Sequence, residues 1–208
     1  TRRLLTIVWE TEGKIMSDIK VTTSQLSNKI SEAESRPQRE DSSSFTISWF
    51  GLEQAGKTTI LRRLQNGTFN PPIFQTIGFN TYSIKIEGQN FFCWDTSGQW
   101  MSNQQYLPCF LKDIQGIVFV VDSAAPERFV DIKEFWDTIL SAPEIQPDTP
   151  ILILANKQDL SIAVPIEKIR EELQLNVYTR KVLIFPVSAK TGLNLDKALK
   201  SFGKILQR

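Results

Sequence analysis

The chain has 208 residues with 24 Lys and Arg against 23 Asp and Glu, so its formal charge of +1 lacks the basic excess of a nucleic-acid-coating protein. It contains no histidine, which excludes imidazole general bases, His-based triads and His-ligated zinc. The 41 % hydrophobic content is ample for one core, the two cysteines (Cys93 and Cys109) predict no disulfide framework and a reducing compartment, and no apolar run nears a membrane span.

Residues 1–30 carry apolar or small positions at Leu4, Val8, Thr11, Ile15, Ile19, Thr22, Leu26 and Ile30. Their steps of three and four give an eleven-residue period, which predicts a nearly straight amphipathic helix that Gly13 interrupts. Five basic and three acidic side chains give this segment a charge of only +2, weak for electrostatic membrane attraction. Trp9 suits a membrane interface or a partner groove. Three roles stay open for the helix: a membrane lever, a partner-binding helix and a docked autoinhibitory element. Residues 31–44 are polar and hold no large apolar side chain, which predicts a linker.

From residue 45 to 208 the pattern alternates. Short β-branched and aromatic runs at Phe45–Phe50, Phe79–Ile86, Phe91–Trp94, Gly116–Val121, Ile151–Ala155 and Val182–Val187 predict strands. Helical periodicity falls at Thr58–Leu64, Glu127–Leu140, Ile166–Leu173 and Leu195–Ile205. Such alternation predicts an α/β domain with a mostly parallel sheet covered on both faces. The connection Glu87-Gly88-Gln89-Asn90 predicts a hairpin, hence one antiparallel edge strand.

Gly51-Leu52-Glu53-Gln54-Ala55-Gly56-Lys57-Thr58 follows the first strand and opens the first helix, and it fits a phosphate-binding loop that continues into Thr59. Backbone N–H groups and the helix N-terminus attract phosphate, Lys57 is placed to reach the β- and γ-phosphates, and the Thr58 hydroxyl to bind Mg²⁺. Thr76 lies in the next loop and can join the Mg²⁺ shell when a γ-phosphate is present, which makes that loop a switch. Asp95 ends a strand, where its carboxylate can hold Mg²⁺ through a water. Gly98 lets its N–H approach a γ-phosphate, and Gln99 can orient an attacking water. Asn156-Lys157-Gln158-Asp159 follows a strand: Asp159 can accept the N1–H and 2-amino hydrogen bonds of guanine. Asn156 can bridge to the nucleotide or the phosphate loop, and the Lys157 stem can cover the base. Ser188-Ala189-Lys190 can offer backbone N–H to guanine O6. Asp113, Asp122 and Glu171-Glu172 read as capping, turn or solvated carboxylates.

These motifs, with Thr76-Ile77-Gly78-Phe79-Asn80, Trp94-Asp95, Val120-Val121-Asp122-Ser123 and Ala155-Asn156-Lys157-Gln158-Asp159-Leu160, resemble the Arf and Arf-like branch of the small GTPases over residues 45–208. The resemblance implies a phosphate-loop G domain with a six-stranded sheet and a GTP/GDP switch that uses Mg²⁺. Lys57, Thr76 and Gln99 would be the catalytic residues. It also implies a monomer with an exchange factor and an activating protein, and no nucleic acid. Effectors would read an aromatic patch that includes Phe79 and Trp94. In this branch the hairpin between the switches slides when GTP replaces GDP, freeing an N-terminal helix for a membrane, so the expected location is cytoplasmic, peripheral on a membrane in the GTP state. Four departures stand out. Ser97 replaces a glycine before Gly98, Gln75 replaces a proline before Thr76, Cys109 falls where a third patch aromatic is usual, and the N-terminal segment is long, with no glycine at position 2 for myristoylation. Besides the slow GTPase, two readings remain: a nucleotide-gated binding module that barely hydrolyses, which Ser97 favours, and an ATPase or kinase, which Asp159 opposes.

Overall fold

The computed structural model describes residues 44–70, 75–99 and 106–207; the expected N-terminal helix and nearly all of the linker lie outside the described residues. In chain order the elements are β1 (Ser44–Phe50), α1 (Lys57–Asn66), β2 (Phe79–Ile86), β3 (Gln89–Thr96), α2 (Leu107–Leu111), β4 (Gly116–Asp122), α3 (Phe129–Leu140), β5 (Ile151–Asn156), α4 (Ile166–Glu172), β6 (Val182–Pro186) and α5 (Leu195–Leu206). They form one six-stranded sheet in the order β2-β3-β1-β4-β5-β6. Only β2 runs antiparallel, against β3, with Phe79 opposite Thr96 and Ile86 opposite Gln89.

The sequence explains the placement. Every residue of β4 and β5 is buried, as central strands covered on both faces require. Edge strand β2 mixes buried and exposed positions instead. One face packs under α1 and α5, through Ile60, Leu61, Leu199 and Phe202. On α3, Phe129, Ile132, Phe135, Trp136 and Ile139 form one buried stripe at helical spacing. Phe119 of β4 meets the Phe135 and Trp136 rings at 5.9 and 5.2 Å.

Local details differ from the sequence pattern. The hairpin turn is two residues, Glu87 and Gly88, both at positive φ (48° and 84°), so Gln89 and Asn90 belong to β3. Pro126–Arg128 is a 3-10 turn ahead of α3, because proline fixes the entry and gives no N–H. The short α2 had no readable period, having five residues with Pro108 inside. In addition, β1 begins at Ser44, one residue inside the expected linker.

The strand order reverses about β1, since the chain first builds β3 on one side of it and then β4 on the other. In open α/β sheets a ligand crevice forms at that point, outside the carboxyl ends of the strands. The loops after β1, β3, β5 and β6 all leave from those ends.

Candidate functional site

Between β1 and α1 the backbone turns through Gln54 (φ 61°) and Gly56 (φ 98°). Gly56 caps α1 in the left-handed region with no side-chain cap, so the first N–H groups of the helix stay available to an anion. Lys57 folds back across the loop, its ammonium donating to the carbonyls of Gly51 at 2.7 Å and Leu52 at 3.1 Å. Burial pushes its pKa down to about 8, against the pull of Asp95 and Glu53 and with a smaller push from Arg128. A cleft of about 340 Å³ opens here, lined by Glu53, Gln54, Gly56, Lys57, Thr58, Thr59, Gln75, Thr76 and Gly98. That is within the usual size range of ligand pockets.

Three oxygen donors converge at one wall. The hydroxyls of Thr58 and Thr76 lie 2.9 Å apart, and Thr58 donates to Asp95 Oδ2 at 2.6 Å. The 2.9 Å contact is a hydrogen bond between the two hydroxyls, which brings both oxygens next to Asp95 as hard ligands of the kind Mg²⁺ takes. The other oxygen of Asp95 is buried without a hydrogen-bond partner, as expected of an atom awaiting a water or ion. Burial raises the Asp95 pKa despite the hydrogen bond from Thr58 and the charge of Lys57. These residues fit Mg²⁺.

The loop after β3 closes over the phosphate loop. Gly98 accepts from the Glu53 N–H at 3.2 Å, and a Cβ at Gly98 would sit 2.1 Å from that nitrogen, so only glycine fits. Ser97 donates its N–H to Gly78 at 2.8 Å, and its hydroxyl accepts the Gln99 N–H at 3.3 Å. Gln99 itself is exposed and is not among the residues that line the cleft.

On the base side, Asn156 is buried and ties two loops together. Its Nδ2 donates to Ala55 at 2.8 Å, and its Oδ1 accepts the Ala189 N–H at 2.9 Å. The Ala189 amide is thus engaged with Asn156. Asp159 is exposed and accepts from the Ser188 hydroxyl at 2.6 Å. Lys157 pairs with Asp122 at 2.5 Å, and Asp122 also accepts the Ala124 N–H at 3.0 Å, in keeping with a turn carboxylate. Lys190 is exposed.

Three polar residues outside the expected set belong to the site. Gln75 donates to Glu53 Oε2 at 2.9 Å, linking the Thr76 loop to the phosphate loop through a group that proline would not offer. Arg128, just before α3, donates to the Glu53 carbonyl at 3.0 Å and lies 3.6 Å from its carboxylate. Arg63, near the end of α1, reaches the loop after β6. Only Gln75 left a trace in the sequence, as a departure before Thr76; the arginines act across gaps of 75 and 126 residues.

The aromatic patch that the resemblance expects to be exposed in the GTP form is covered in this structure. Phe79 and Trp94 are 6 % and 4 % exposed, and each packs on Phe110 of α2, at 5.4 and 5.9 Å. Phe110 closes the cluster beside Cys109. The large apolar side chain exposed at this edge is Ile77, at 75 %.

Comparison with known proteins gives a consistent picture. The model of the ADP-ribosylation factor family matches residues 33–206. ADP-ribosylation factor 3 of Arabidopsis thaliana is 38 % identical over 150 residues, 72 % of this chain and 81 % of that protein. ADP-ribosylation factor-like protein 1 of Caenorhabditis elegans is 36 % identical over 159 residues, 76 % of this chain and 87 % of that one. Among solved structures, the Arl6 BBS3 small GTPase of Trypanosoma brucei, with the bound nucleotide analogue GppNp, shares the fold. Its TM-score is 0.70 at 22 % identity, covering 79 % of this chain and 98 % of that one.

Proposed function

The chain belongs to the ADP-ribosylation factor family of small GTPases, and from that premise we propose that it is a Mg²⁺-dependent GTP/GDP switch with slow intrinsic hydrolysis. The observation that carries the proposal is the convergence of Thr58, Thr76 and Asp95 beside the buried Lys57. Thr58 and Thr76, with Asp95 through a water, would hold Mg²⁺, which supplies charge neutralisation across the β- and γ-phosphates. Lys57 adds a positive charge in a water-poor setting, where it acts more strongly than at the surface. Thr76 reaches its place only when its loop is closed, and Gln75 holding Glu53 favours that closure. Gln99 orients the attacking water. It is exposed next to Gly98 of the cleft wall, and intrinsic turnover is slow. An activating protein would accelerate turnover by on the order of 10³–10⁵-fold where it supplies an arginine. Asp159 selects guanine. Family membership supports an exchange factor, effectors and peripheral membrane recruitment through residues 1–30 in the GTP state. Among the described residues no helix is long and apolar enough to cross a membrane.

A second reading, a nucleotide-gated binding module with negligible hydrolysis, is favoured by Ser97, whose hydroxyl holds the N–H of Gln99. Single-turnover GTP hydrolysis, with and without cell extract, by the parent and Gln99→Leu separates the two. We expect slow parent turnover that extract stimulates, and a variant that binds GTP yet hydrolyses it at least tenfold more slowly (about 1.4 kcal/mol of barrier). Equal rates in parent and variant would remove the role of Gln99. No parent turnover under either condition would establish the binding module.

A further inference from the structure

The loop after β6 is held from behind by a residue of α1. Arg63 donates through Nη1 to the carbonyls of Ala189 at 3.3 Å and Lys190 at 2.9 Å, and through Nη2 to Thr191 at 3.1 Å. Three successive carbonyls therefore face one guanidinium. In a planar trans peptide the N–H points opposite to the C=O, so the N–H groups of residues 190, 191 and 192 face away from Arg63. Two of them find Ser188: Thr191 donates to its hydroxyl at 3.1 Å and Gly192 to its carbonyl at 2.8 Å. The Ser188 hydroxyl donates in turn to Asp159. The side away from Arg63 is thus the side of Ser188 and Asp159, and among the described residues the Lys190 N–H donates to no protein group there.

We propose that Arg63 is a positioning residue for base recognition, holding the loop so that the Lys190 N–H is aimed at the O6 oxygen of a guanine seated on Asp159. The proposal rests on the guanine reading above. Arginine suits the role because its planar fork can hold several carbonyls in fixed directions, whereas a lysine ammonium is a point donor on a flexible stem. Arg63 also sits six residues after Lys57 on one helix, about 9 Å along a rigid rod. The element that presents Lys57 and Thr58 to the phosphates therefore sets the base loop as well, and fixes the span between phosphate and base.

The test is equilibrium competition against a fluorescent GDP, with Mg²⁺, for the parent, Arg63→Ala and Arg63→Lys. The competitors are GTP, ATP, ITP and 6-thio-GTP. Sulfur is a weak acceptor, so the GTP to 6-thio-GTP ratio reads the O6 contact; the GTP to ITP ratio reads the 2-amino group on Asp159. In Arg63→Ala the first ratio should fall towards unity, by up to on the order of tenfold, the worth of one hydrogen bond. In Arg63→Lys it should fall less, and the second ratio should hold in both. If Arg63→Ala does not fold, the fall in Arg63→Lys decides. Uniform weakening with both ratios unchanged, or no change at all, would overturn the proposal. Equal parent affinity for GTP and 6-thio-GTP would overturn the O6 contact, and equal affinity for GTP and ATP the guanine reading itself.

Discussion

Lys57 is the buried cation of the cleft. Its ammonium is buried, with carbonyls of its own loop as hydrogen-bond partners, and its pKa falls from 10.5 to about 8. Phosphate binding needs the charged form. Below about pH 8 the free protein already has it; above, binding must take up a proton. Affinity for GDP should be flat up to about pH 8 and then weaken by up to tenfold per pH unit, read by titration with a fluorescent GDP. A flat profile to about pH 9.5 would contradict the assignment. For stability the sign is opposite: between about 8 and 10.5 the unfolded chain binds more protons at this lysine. Its contribution to the nucleotide-free fold therefore improves as pH rises through that window. The phosphate loop was legible because its residues are contiguous and each answers a local need for anion-binding N–H groups. Arg63, Arg128 and Gln75 were not, because their partners are set by the sheet order, and no spacing reports a contact made across it.

At the scale of elements, central strands were the easiest to read: burial on both faces of β4 and β5 demands an unbroken apolar run. The β2–β3 hairpin is legible in the sequence, but its turn reads two residues too long because Gln89 and Asn90, which belong to β3, are polar. Gln89 lies against Gly203 of α5, where a Cβ would come within 1.8 Å of its side-chain oxygen, and Lys200 of α5 bonds Glu87 at 2.7 Å. The tip of the hairpin is thus held by the last helix through polar contacts that hydrophobic pattern does not register. α2 escaped notice because one turn of helix has no period. It brings Phe110 onto Phe79 and Trp94 and explains why those rings are covered. The N-terminal segment has an amphipathic period from sequence, and co-sedimentation with anionic liposomes tests its proposed use. Pelleting should require both a non-hydrolysable GTP analogue and residues 1–35. No pelleting in either nucleotide state would move the segment to a protein partner or an autoinhibitory role, and pelleting without residues 1–35 would contradict its proposed use.

For the molecule as a whole, the sheet places the loops after β1, β3, β5 and β6 at one edge, where Asn156 ties the phosphate loop to the base loop. The cleft is lined by the desolvated Lys57, and behind Thr58 lies a buried Asp95 oxygen without a hydrogen-bond partner. The family and the fold class were legible from motifs in order. The closure of the site, through Glu53, Gln75, Arg128 and Gly98, became visible only once the loops were brought together. The most direct measurement is thermal unfolding of the nucleotide-stripped protein in Mg²⁺ with GDP, GTP or ATP, and again with chelator. At a thousandfold excess over Kd, binding adds about 4 kcal/mol, or roughly 10 °C for a domain of this size. GTP and GDP should give a rise of that order, GTP should lose most of it with chelator, and ATP should give almost none. An equal rise with ATP, or one with GTP that chelator leaves untouched, would contradict a Mg²⁺-dependent guanine-nucleotide switch.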